Sequence, residues 1–132
     1  MNSVEIFNKY KVGIYAPYDK RSIYTTKYEM LETDVFNVEN TDCGFWFINP
    51  EIVKVFKKYN FKELTRYGWG IDIITIKESL RLGFKVLRDY RSETDQLDHS
   101  TNYNIDAACK AATGLINKYN KHVTMSVRTS TV

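Results

Sequence analysis

The stretch RYGWGIDI, residues 66–73, holds the residue types best suited to chemistry. Trp69 stands between Gly68 and Gly70, and Asp72 follows where an apolar helix is expected to begin. An aromatic ring beside a carboxylate suits sugar chemistry. The C–H face of a sugar stacks on the ring, and the carboxylate takes a proton from a hydroxyl within hydrogen-bond reach. The glycines allow backbone to approach a ligand, or a positive φ. The same residues also fit a plain turn, with Asp72 as the helix N-cap and Trp69 as a buried anchor. The two roles of Asp72 compete, because a carboxylate fully engaged by backbone donors is a weaker base. Thr75 and Ser79 share its helical face, giving a polar stripe opposite Ile73, Ile76 and Leu80.

Other candidates lie further off. His99 sits in the polar stretch LDHSTNY, where a neutral imidazole could hold a metal or simply face solvent. Asp89, Asp95 and Asp98 are near in sequence and could add oxygen ligands. Arg88, Asp89 and Arg91 fall at the carboxyl end of an expected strand, VLRDYR, the end at which α/β sheets bind ligands. A solvated ion-pair cluster is the other reading of that group. Asp42 precedes an apolar run and either faces a cleft or makes an Asx turn. There is no phosphate-cradling glycine loop, CxxC pair or nucleophile elbow.

These residues need elements to hold them. KVGIYAPY (11–18) reads as a strand ended by Pro17, and TDVFNVENTD (33–42) as another with a turn. CGFWFI (43–48) has the pattern of a short buried strand. NPEIVKVFKKYN (49–60) is a helix with Asn49 as cap and Pro50 at its first position. DIITIKESLRLG (72–83) is a second helix stopped by Gly83, followed by the strand FKVLRDY (84–90). Residues 91–102 read as a polar loop and 105–119 as a third helix. The expected unit is a single α/β domain over 1–119 with a mobile tail over 120–132. Only three or four strands are visible, which is thin for a complete doubly wound enzyme.

Composition narrows the class. Hydrophobic residues make up 43% of 132, enough for one core. Ten tyrosines favour amphipathic clefts. A net charge of +3, from 19 basic and 16 acidic residues, declares no nucleic-acid patch. Cys43 and Cys109 make neither a disulfide framework nor a zinc spacing, so a reducing, cytoplasmic setting is the default. No apolar run is long enough for a membrane span.

Taken in order, GIYAPY, NTDCGFWFINPEIV, YGWGID, LRLGFKVLRDY and DHSTNYN resemble the carboxyl-terminal, acceptor-side half of nucleotide-sugar-dependent glycosyltransferases of the GT-A type. The resemblance covers roughly residues 11–112. It implies a partial, three-layer α/β domain with a small mixed sheet and about three helices. It implies transfer of a sugar from a nucleotide diphosphate to a carbohydrate hydroxyl. Asp72 would be the base, with Trp69 and Gly70 against the acceptor. Asp42 and Trp46 would lie on the strand lining the acceptor cleft. His99 would complete a Mn²⁺ or Mg²⁺ site. The family's Asp-x-Asp metal motif belongs to a preceding nucleotide-binding half, and no such triplet occurs here. The expected partners are therefore a nucleotide-sugar, a carbohydrate acceptor, and a separate nucleotide-binding half or a second copy. The alternative is a non-catalytic carbohydrate- or protein-binding module.

Overall fold

The structure is a computed structural model and describes residues 2–19, 26–41, 45–59, 66–94 and 104–130. In chain order the elements are α1 (Ser3–Lys9), β1 (Val12–Asp19), β2 (Thr26–Glu32), β3 (Val35–Asn40), β4 (Phe47–Ile48), α2 (Pro50–Tyr59), α3 (Ile71–Arg81), β5 (Lys85–Thr94) and α4 (Ile105–Ser130). The strands form one mixed sheet in the order β2-β3-β5-β1-β4. Only β1 and β5 are parallel; the other pairs are antiparallel. The chain is thus α/β, with four helices and five strands among the described residues.

Strand alternation, reset by the register shift between Val12 and Ile14, explains the layers. On one face Val12, Tyr15, Val35 and Leu87 pack with Ile6 of α1. On the other, Ile14, Val38 and Val86 pack with Ile76 of α3. Successive strand residues point to opposite faces, so Val86 and Leu87 serve different layers. Beyond α3, Val55, Ile74, Leu115 and Tyr119 join α2, α3 and α4 in a third cluster. Each cluster is a stripe on an amphipathic element that is stable only when covered.

The helix α3 lies close to the sheet because small residues face each other. A Cβ on Gly13 of β1 would sit 2.8 Å from Ser79 Oγ. The buried face of α3 is Ile74, Thr75, Ile76, Glu78 and Ser79, whereas Ile73 and Leu80 are 41% and 47% exposed. This reverses part of the expected amphipathicity. Two hydroxyls can be buried here because each donates back along the helix: Thr75 to the Ile71 carbonyl at 2.6 Å and Ser79 to Thr75 at 2.8 Å.

Other expectations also changed. Asn49 caps α2 as expected, its side chain accepting from the Glu51 N–H at 3.0 Å. Of the run CGFWFI, the described residues 45–48 carry the two-residue edge strand β4, and Phe45 and Phe47 are more than half exposed. The strand β5 extends to Thr94. The last helix continues to Ser130 rather than stopping at Tyr119, with Val123 packed on the core. Among the described residues, no helix is long and apolar enough to cross a membrane.

Candidate functional site

The turn before α3 is held by two left-handed glycines, Gly68 at φ 76° and Gly70 at φ 86°. Gly70 is the N-cap and supplies no side-chain bond to the helix end. It is also packed, since a Cβ there would lie 3.3 Å from the Ala112 backbone of α4. Asp72 is therefore not the cap. It is the second residue of the helix, half-buried, and its Oδ1 accepts the Ile73 N–H at 2.9 Å. Trp69 is also half-buried.

Packing fixes what this turn overlooks. Ser79 meets Gly13 near the start of β1, and Ile76 meets Ile14 and Val86. So α3 runs against the direction of β1 and β5, and its N-terminus points toward their carboxyl ends. From Ile76 to Asp72 the helix advances roughly 6 Å. From Val86 to Arg88 the strand advances roughly 6.6 Å. Asp72 is thus level with Arg88 and with Ala16, its register partner on β1.

Arg88 is the largest fully buried side chain described, at 2% exposure. Its Nη1 donates to Thr41 Oγ1 at 2.5 Å, and Thr41 is itself buried. Its Nε has no hydrogen-bond partner. No ion pair among the described residues includes it. Buried charges are ordinarily paired, so this cation has an unfilled requirement. Around it on the same face stand Tyr18 and Tyr90, with ring centroids 5.0 Å apart, and Phe36 edge-on to Tyr90 at 5.5 Å. Trp46 packs on the cluster of Ile14, Val38, Ile76 and Val86.

Asp89 faces the other way. The register passes from Pro17–Asp89 directly to Tyr18–Glu93, so Tyr90, Arg91 and Ser92 bulge from the β1 ladder. The bulge folds Arg91 back onto Asp89. The Arg91 backbone N–H and Nε reach Oδ1 at 2.9 and 3.0 Å, and Nη2 reaches Oδ2 at 2.9 Å. Tyr15 donates its phenol proton to Oδ2. Burial and the Asp89 hydrogen bond push the Tyr15 phenol up to about 12. Burial pushes the Asp89 carboxyl up, but hydrogen bonds from Arg91 and Tyr15 outweigh it and hold the carboxyl below its ordinary value. This group lines a cleft of about 500 Å³ with Asn2, Ser3, Pro17, Phe47 and Ser92.

Comparison with family models, with curated proteins and with solved structures finds no match.

The expected site residues are therefore only partly brought together. Trp69, Gly70, Asp72, Trp46 and Arg88 belong to the α3 side of the sheet, while Asp89 belongs to the α1 side. Asp42 and His99 lie outside the described residues. Among the described residues no three His, Cys, Asp or Glu side chains are placed to hold a metal ion, so they offer no set for the expected Mn²⁺ or Mg²⁺. Tyr15 is not among the expected site residues, and Arg91 enters them only beside Arg88 and Asp89 in VLRDYR. Arg91 was legible, because positions 89 and 91 share a strand face. Tyr15 was not, because its partner lies 74 residues away.

Proposed function

We propose that this chain provides the acceptor side of a GT-A-like, nucleotide-sugar-dependent glycosyl transfer. The observation that carries the reading is a buried Arg88 that lacks an acidic partner among the described residues, with a half-buried Asp72 that is not the helix cap brought to its height by the rise of α3 and β5. A carboxylate and a guanidinium at the carboxyl ends of parallel strands suit a ligand carrying both hydroxyls and negative charge. In the reaction, an acceptor hydroxyl gives its proton to Asp72 as its oxygen bonds to the anomeric carbon. The bond from that carbon to the diphosphate breaks, and the electron pair leaves on the diphosphate oxygen. Arg88 offsets that charge, and Trp69 stacks on the acceptor. The donor's nucleoside would be held by a separate nucleotide-binding half or a second copy.

Titration with UDP and with GDP, followed by tryptophan fluorescence, tests the reading. Saturable binding that is lost in Arg88→Met and kept in Asp72→Asn is expected. Where transfer is measurable in the assembled protein, Asp72→Asn lowers kcat by roughly 10²–10⁴ without weakening diphosphate binding. Binding of a free sugar with no response to either diphosphate would instead favour the non-catalytic carbohydrate-binding reading.

A further inference from the structure

We propose that the cleft on the α1 face, built on Tyr15, Asp89 and Arg91, is a second carbohydrate site that seats a single uncharged sugar ring. Its volume of about 500 Å³ falls in the range of small-molecule sites, ~300–1,000 Å³. Among the described residues, the charges in its floor cancel. Both Asp89 oxygens accept two hydrogen bonds each from Arg91 and Tyr15, and Asp89 is 1% exposed, so the carboxylate is spent on positioning. An ion entering the cleft finds a neutral pair rather than a lone charge, which favours an uncharged ligand.

The rest of the lining is amphipathic. Phe47, 52% exposed, and Pro17 supply apolar surface of the kind that the C–H face of a pyranose covers. Arg91, with 31% of its side chain exposed, and the hydroxyls of Ser3 and Ser92 supply polar groups for the hydroxyl rim. The polar part is preorganised. The β5 bulge and the two-pronged Arg91–Asp89 pair hold the guanidinium in place before any ligand arrives, which lowers the ordering cost of binding. The cleft lies across the sheet from Asp72 but at the same ends of β1 and β5. It would hold a part of a glycan remote from the reacting hydroxyl. The inference rests on reading this chain as a carbohydrate-handling protein, and the two can fail separately.

The test is an amide-resolved NMR titration of the full chain with methyl glycosides of glucose, galactose, mannose and N-acetylglucosamine. At least one is expected to move the Tyr15, Phe47, Arg91 and Ser92 amides saturably. Phe47→Ala, an exposed position that leaves the core intact, raises that Kd about tenfold or more. Asp72→Asn leaves it within about twofold, since the carboxylate lies across the sheet. If no glycoside moves these amides, or only inorganic phosphate does, the proposal is wrong. Shifts that respond to Asp72→Asn and not to Phe47→Ala would assign sugar binding to the α3 side alone and also overturn it. Loss of UDP and GDP binding with these shifts intact would sink the transferase reading and leave this site standing.

Discussion

Replacing Arg88 with methionine should make the ligand-free protein more stable. The change removes a guanidinium that is 2% exposed, has one hydrogen bond and leaves Nε without a partner. Burying an ion costs several kcal/mol after relaxation, and apolar replacement of even a paired buried charge is often stabilising by about 1–4 kcal/mol. Against that stands Thr41, whose buried hydroxyl loses its donor at a cost of about 1–3 kcal/mol. Methionine is flexible enough to fill the space. The net expectation is a small gain of about 0.5–1 kcal/mol, which in a domain of this size raises Tm by roughly 2–4 °C. Thermal unfolding with and without UDP provides the readout. A ligand at 100 times its Kd stabilises the wild type by about 2.7 kcal/mol and should do nothing for Arg88→Met. The two curves should therefore cross as ligand is added. A loss of about 3–5 kcal/mol in Arg88→Met without ligand would refute the reasoning, because it is what breaking a well-paired buried ion pair does.

Two further predictions concern the turn and the opposite cleft. Gly70→Ala combines a left-handed backbone with a 3.3 Å approach to Ala112, whereas Gly68→Ala has the backbone penalty and open space. Denaturant unfolding should show a loss of about 2 kcal/mol or more for Gly70→Ala and about 1 kcal/mol for Gly68→Ala. Asp89 has a depressed carboxyl in the folded state, so its contribution is present above its unfolded value of about 4 and lost as pH falls through the lower folded value. Asp89→Asn should flatten the acid limb of stability below about pH 4, read as Tm against pH, and an unchanged limb would contradict the geometry.

Much of this was legible in the residues. The punctuation of Asn49 and Pro50, and the strand patterns around Ile14 and Val86, lead directly to α2, β1 and β5. The failures share a physical cause, which is that tertiary neighbours decide what a local pattern means. Ile73 and Leu80 read as a core face, but Gly13 admits Ser79 instead, and the hydroxyls of α3 satisfy themselves within the helix. Phe45 and Phe47 read as buried because they belong to a compact apolar run, yet both are more than half exposed, and Phe47 lines the cleft on the α1 side. Arg88 and Asp89 read as one group because they are adjacent. Strand alternation separates them, and only long-range partners, Thr41 and Tyr15, reveal how differently each is used.

That separation limits how the chain can vary in length. Deleting or adding one residue between Lys85 and Arg88 would exchange the two sides, turning the arginine toward α1 and the aspartate toward α3. Each face would then receive a group of the opposite sign. The kink at Tyr90–Ser92 lies between the Pro17–Asp89 and Tyr18–Glu93 pairs and absorbs such changes without rotating what precedes it. Homologous chains should thus keep a fixed count up to Asp89 and tolerate gaps only after it.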